Sequence, residues 1–178
     1  MKLREVKEVV AFKEAAEKFC IVLETDPTDC DMWLKDLLGA LSLLYARAHD
    51  LPEVELQDDD IDIPDSFHMT LDDWRRQVDR LHDILGSQTY YWAVFDPSEP
   101  KDSEQEAICG DIADDLADII GDLKPGLRAW ASGIDGYLAS IVFDWKTPLF
   151  GSHWGIHAVS AMRALHPMVY LRGLHEGA

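Results

Sequence analysis

An all-α fold, a single bundle of five or six helices with one long acidic loop, is what this sequence predicts. Three observations carry that expectation. Apolar residues recur at helical spacing in successive segments, capping and helix-breaking residues fall between those segments, and the most strand-like stretch, Tyr90 to Phe95, is too short for a free-standing sheet. With 178 residues, 47% of them hydrophobic, the chain can bury a substantial core, and residues 1–178 are expected to form one domain.

Val6, Val9, Val10, Phe12, Ala16, Phe19, Cys20 and Leu23 set out a first helix from about Leu3 to Glu24. Thr25-Asp26-Pro27-Thr28-Asp29 breaks it, and Asp29 or Asp31 can cap a second helix carrying Trp33, Leu34, Leu37, Leu38, Leu41, Leu44 and Tyr45. Residues 51–69 follow as a connection bracketed by Pro52 and Pro64. Its Glu53, Glu55, Asp58, Asp59, Asp60, Asp62 and Asp65 repel one another in any compact arrangement, so a solvated, mobile segment is expected. Thr70 with Asp73 three residues later forms a capping box with the shorter acid, opening a third helix through Leu71, Trp74, Val78, Leu81 and Leu85 to Gly86. The aromatic run Tyr90 to Phe95 then plugs one end of the bundle, and Asp96-Pro97 begins a polar stretch through Ser103. A fourth helix is expected from Glu104 to Leu127, kinked near Pro125 and resuming through Trp130. A shorter helix covers Ile134 to Trp145, and a last one runs from about His153 to His166 after Thr147-Pro148 and Gly151-Ser152.

Charge limits the partners. Against 16 Lys and Arg stand 34 Asp and Glu, a formal charge of -18, which repels phosphate backbones and anionic bilayers. Neither nucleic acid nor membrane is expected as a partner; a basic protein, a cation or self-association is. Cys20, Cys30 and Cys109 are odd in number and lack a C-x-x-C pair, so no disulfide framework or zinc ribbon is indicated and a reducing cytoplasm is the expected compartment. No apolar run is long enough to span a bilayer, and Met1 to Val10 lacks the apolar region of a secretion signal.

Chemistry concentrates on the fourth and last helices. A helix turns about 100° per residue, so Asp111, Asp114, Asp115, Asp118 and Asp122 share one arc, beside an apolar arc of Ile108, Ile112, Leu116, Ile119, Leu123 and Leu127. Such a stripe can hold a divalent metal, receive a cationic partner or face water. On the last helix, Trp154, Ile156, Ala158, Val159, Ala161, Met162, Ala164 and Leu165 leave little polar surface, and Arg163 stands among them. A partly buried guanidinium needs an acid, and the expectation is an ion pair from Arg163 to Asp115 or Asp118; the alternative is that Arg163 binds an anion in a pocket. His153 and His157, at i and i+4, share a face and can chelate a transition metal, with Asp115 and Asp118 as further candidates, yet no complete ligand set is identifiable and no metal is assigned. The alternative is structural, with one histidine near the helix start and the other on a polar seam with Ser160. His166 is placed to meet the negative end of the helix dipole.

Two resemblances bear on function. Asp115-Leu116-Ala117-Asp118 resembles the second acidic motif, E-x-x-D, of the all-α nucleoside triphosphate pyrophosphohydrolases with Asp in place of Glu, while Lys13-Glu14-Ala15-Ala16-Glu17 lacks the acidic doublet of their first motif. That resemblance implies a Mg²⁺-dependent phosphohydrolase whose second acidic element comes from Glu14 and Glu17, or from Glu5 and Glu8. Asp114-Asp115-Leu116-Ala117-Asp118-Ile119, Trp154-Gly155 with Ala161-Met162-Arg163-Ala164-Leu165-His166, and Leu43-Leu44-Tyr45 leading into Leu51-Pro52 together resemble the domain of unknown function 5063 family. This second resemblance implies a bacterial, single-domain, all-α protein, supplies no activity, and draws attention to Asp115, Asp118, Trp154, Arg163 and His166 as one cluster. Since no G-x-S-x-G, P-loop, H-E-x-x-H or di-iron E-x-x-H pair is present, the leading expectation is a non-enzymatic protein that binds another protein or its own copy and needs no cofactor. Tyr90, Tyr91, Trp92 and Trp130 are the candidate anchors.

Overall fold

A computed structural model describes residues 3–57, 60–94 and 107–171. Six α-helices of nine or more residues dominate these: α1 (Lys7–Glu24), α2 (Cys30–Asp50), α3 (Leu71–Leu85), α4 (Ile112–Ala131), α5 (Leu138–Lys146) and, after the single-turn α6 (Pro148–Ser152), α7 (Trp154–Tyr170). Helix α1 packs along α2, α7 lies against both α2 and α4, and α3 covers another side of α4. One apolar core joins them, with Phe12, Phe19, Leu37, Leu41, Leu116, Ile119, Trp145 and Trp154 buried in it. No helix among the described residues is long and apolar enough to cross a membrane.

The caps follow the local chemistry. The Asp29 carboxylate accepts from the Met32 N–H at the start of α2, and Thr70 and Asp73 satisfy each other's backbone N–H groups at the start of α3. Gly86 ends α3 at φ +56°, a conformation that costs a residue with a Cβ about 1 kcal/mol or more. Pro125 sits inside α4 without breaking it.

Three elements depart from expectation. Tyr90–Ala93 forms a strand, β1, paired antiparallel with Ile108–Asp111, β2, so that Tyr90 faces Asp111 and Trp92 faces Cys109. The fourth helix therefore begins at Ile112 and not near Glu104; Ile108 is an exposed strand residue, and Asp111 caps the helix instead of riding on its stripe. Backbone pairing across a long connection outweighs the local periodicity there. Phe95, Asp96, Pro97, Ser103 and Glu104 lie outside the described residues, as do Asp58 and Asp59.

The acidic connection is the second departure, because it is tied down where a mobile segment was expected. Leu51 is buried, and Val54, Ile63, Phe67 and Met69 pack against the core. The Ile61 N–H donates to the Gly136 carbonyl at 3.3 Å, the Ile61 carbonyl accepts from the Ser140 hydroxyl at 2.9 Å, and Arg128 donates to the Phe67 and His68 carbonyls. Apolar residues interleaved with the carboxylates anchor the described parts of the segment inward, while Glu53, Glu55, Asp62 and Asp65 stay outward. Thirdly, the helix expected from Ile134 opens as a 3₁₀ turn, Asp135–Tyr137, and becomes α-helical only at Leu138.

Candidate metal centre

The acidic stripe of α4 meets histidines of α7. Helix packing puts these two elements side by side as expected, but the face of α7 turned to α4 carries His157, with His153 at the helix N-cap, and not Arg163. The His157 Nδ1 lies 2.7 Å from Asp115 Oδ1, and the His153 Nδ1 lies 2.6 Å from Asp122 Oδ2. The opposite nitrogens of both rings turn toward one oxygen: His157 Nε2 is 3.3 Å and His153 Nε2 is 4.0 Å from Asp118 Oδ2. The second oxygen of Asp118 is occupied, accepting from the Trp74 indole N–H of α3 at 2.8 Å. Asp115 in turn accepts from the Tyr91 hydroxyl of β1 at 2.7 Å.

Each of the three inward groups is thus held from behind by another residue. A carboxylate on Nδ1 keeps the proton on that nitrogen and leaves the Nε2 lone pair free when the ring is neutral. Asp118, His153 and His157 form a group of candidate metal ligands among the described residues, with one ligand atom from each lying within 4.8 Å of the others. Metal–ligand bonds of about 2.0–2.2 Å require ligand atoms roughly 3–4 Å apart. The 3.3 Å distance from His157 to Asp118 fits, the 4.0 Å one from His153 lies at the outer limit, and His153, with its side chain 45% exposed, has room to move inward.

The surrounding carboxylates set the charge of the metal-free site. The hydrogen bond to Asp115, reinforced by Asp118 and Asp114, holds the His157 imidazole above its ordinary titration range despite the opposing effect of burial. Burial and the neighbouring Asp118 raise the Asp114 carboxyl, and burial raises that of Asp122 against the pull of His153. Burial, with the Asp115 carboxylate beside it, pushes the Tyr91 phenol upward, so it remains a donor. Asp114 and Asp122 are half-buried, where a water-facing role is the expectation from sequence, and Asp122 belongs to this network through His153.

The cluster suggested from sequence divides. Asp115 and Asp118 belong to the centre. Trp154 is fully buried, and its indole donates to the Trp145 carbonyl at 3.3 Å, so it is a core residue. Arg163 makes no ion pair with Asp115 or Asp118; it is exposed, and its guanidinium donates to the Trp92 carbonyl at 3.0 Å. The reason is that Ile156 and Val159, on the same line of α7, are themselves 58% and 49% exposed, on a side that no helix covers. His166 is interior to α7, which runs on through Pro167 to Tyr170, and it packs against the Tyr170 ring rather than capping a terminus. Glutamates of α1 do not supply the facing acids: Glu17 pairs with Lys13 at 2.6 Å, and the groups that meet the stripe come from α7, α3 and β1. Asp122 and Trp74 were not singled out as site residues. Asp122 carried a signal in its position one turn beyond Asp118; the contribution of Trp74 depends on a contact 44 residues distant.

A cleft of about 450 Å³ opens over the centre, bordered by His68, Thr70, Trp74, Asp118, Asp122 and His153. No Lys or Arg borders it among the described residues.

The solved structure of protein BF1032 from Bacteroides fragilis is similar to this chain, with a TM-score of 0.79 and 27% sequence identity over 94% of this chain and 96% of that one. No curated protein matches. Residues 4–171 match the family described as domain of unknown function (DUF5063), which is nearly the whole chain, and the protein belongs to that family.

Proposed function

We propose that this protein binds one divalent transition-metal ion through His153 Nε2, His157 Nε2 and Asp118, in a centre of catalytic rather than structural type. The observation that carries the reading is the convergence of both Nε2 atoms on Asp118 Oδ2 while Asp122, Asp115 and Trp74 hold the three groups from behind. Three protein ligands leave coordination positions for exchangeable groups, and the adjoining cleft gives a small molecule access to them. A bound ion of this kind supplies Lewis acidity and a water acidified toward neutral pH. Two imidazoles favour zinc or a similar ion over Mg²⁺, which prefers oxygen ligands. A cleft bordered by carboxylates without a Lys or Arg also gives little support to phosphoryl chemistry.

Titration calorimetry with Zn²⁺ tests this. One ion per chain is expected for the wild type, with binding lost in His153→Ala/His157→Ala and sharply weakened in Asp118→Asn, and no comparable heat from Mg²⁺. Equal Zn²⁺ binding by all three proteins would remove the proposal.

A second reading, association with another protein or with a second copy, is favoured by the side of α7 that carries Arg163. Trp92 is 69% exposed and Tyr90 57%, and both border a cavity of about 380 Å³ with Arg163. Aromatic and arginine side chains are the usual anchors of an interface. Sedimentation velocity on the wild type and Trp92→Ala examines the self-association form: the variant should dissociate with an unchanged melting temperature, and a monomeric wild type removes that form. The free thiols of Cys20, Cys30 and Cys109 support a reducing cytoplasm as the compartment.

A further inference from the structure

Behind the cleft lies a more enclosed chamber of about 200 Å³ between α4, α5 and the anchored connection. Its walls are apolar at Ile63, Pro125 and Leu149, and its polar groups are few: Asp122, Asp144, His68 and the indole of Trp145. Trp145 is 1% exposed, and its Nε1–H finds no acceptor among the described residues. A buried donor left unpaired costs about 1–3 kcal/mol, so its persistence calls for an explanation. Gly126 permits the arrangement: a Cβ there would stand 2.6 Å from the Trp145 ring nitrogen. Asp144 faces the same space, and among the described residues no hydrogen bond or ion pair reaches its carboxylate. Burial raises its carboxyl, with Asp62 and Asp122 adding to the effect and only His68 opposing it. Gly121 also lines the chamber, and Pro125, four residues on, has no N–H to give to the Gly121 carbonyl.

The chamber therefore offers one unused donor against several acceptors. We propose that it binds the ammonium end of a small amine, with Asp144 and Asp122 receiving the cation and Trp145 Nε1–H donating to an oxygen three bonds from the nitrogen. Amino alcohols and amino carbonyl compounds have that pattern. Asp122, Gly121 and His68 border both chamber and cleft, so the remainder of such a molecule extends toward Asp118; this extension alone rests on the metal reading.

Ethanolamine is the probe, with ethylene glycol as its uncharged counterpart, added to metal-free protein while the indole N–H signals are followed by ¹H–¹⁵N NMR. Trp145→Phe serves only to assign the signal. Ethanolamine should move the Trp145 signal saturably, ethylene glycol should not, and Asp144→Asn should weaken the apparent affinity at least about tenfold, as loss of a charge-assisted hydrogen bond requires. His157→Ala, which disables the metal centre, should leave the response intact, so failure of the metal reading is separable from failure of this one. A Trp145 signal that does not move, an equal response to ethylene glycol, or a response lost in His157→Ala would overturn the assignment.

Discussion

At the N-terminus of α4, Asp111 meets His82 of α3; further along the same helix, Asp115, Asp118 and Asp122 meet His157 and His153. Residue types and contact distances are alike, yet the two regions differ in what remains available. Around Asp111 both carboxylate oxygens are used. One oxygen takes the His82 Nε2 at 2.7 Å, while the other accepts from the Ala113 N–H at 2.9 Å and from the Thr89 hydroxyl. This latches the β-hairpin and α3 to the start of α4, with no carboxylate oxygen left over. In the second region, hydrogen bonds use the outer atoms and leave two ring nitrogens and one oxygen facing a common point beside a cleft. Histidine–aspartate pairs are common; what marks a site is convergence of their unused ends.

Exchanging histidines is the largest way to break the comparison. His157→Ala should lower Zn²⁺ affinity by more than about 100-fold, the upper range for loss of an outer-shell partner, whereas His82→Ala should leave it unchanged. Asp115→Asn and Asp122→Asn should fall between, at about 10- to 100-fold, since each removes a partner of a ligand and not a ligand. Calorimetry on the four variants ranks them directly, and a loss in His82→Ala equal to that in His157→Ala would erase the distinction between the regions.

Stability should show the reverse ranking. Asp111→Ala removes a helix cap and the latch to Thr89 and His82, and a cost of about 1–2 kcal/mol is expected in denaturant unfolding, with Zn²⁺ affinity retained. The pH dependence has a definite sign. Although burial raises it, the hydrogen bonds from Thr89, His82 and the Ala113 N–H prevail, and the Asp111 carboxyl is held below its ordinary value. A depressed carboxyl contributes stability that is present above its unfolded pKa, about 3.9, and lost as pH falls through the lower folded value. Melting temperatures of the wild type should therefore decline more steeply than those of Asp111→Asn below about pH 4. Parallel curves would show that the latch is not ionic.

Legibility from sequence followed the range of the interactions. Caps at Asp29, Thr70 and Asp73 are local and were readable, as was the packing of two long amphipathic helices against each other. The rotation of α7 about its axis was not. His157 and Arg163 are six residues apart, about 120° around a helix, and a segment apolar on nearly every side gives no indication of which face meets α4. Exposure of Ile156 and Val159 decided it against Arg163. The β-hairpin was hidden for another reason: Trp92 and Cys109 pair across 17 positions, a distance no local pattern reports. Asp118 and His157 were among the candidates because helical spacing is local, but the Trp74 contact that occupies the outer Asp118 oxygen joins separate elements.

The smallest change sharpens the comparison most, because it touches neither set of charged groups. Gly121 lies on α4 one residue before Asp122, on the wall shared by cleft and chamber, and a Cβ there meets no atom within 4 Å. Alanine in a helix interior is more favourable than glycine by about 0.5–1 kcal/mol, so Gly121→Ala should raise the melting temperature slightly. The open space its methyl occupies belongs to the passage between the two cavities, so the ethanolamine response should weaken while Zn²⁺ affinity holds. A stabilised variant with an unaltered response would mean that the amine does not pass this wall, and the centre at Asp118 and the chamber at Asp144 would then be separate sites on one helix.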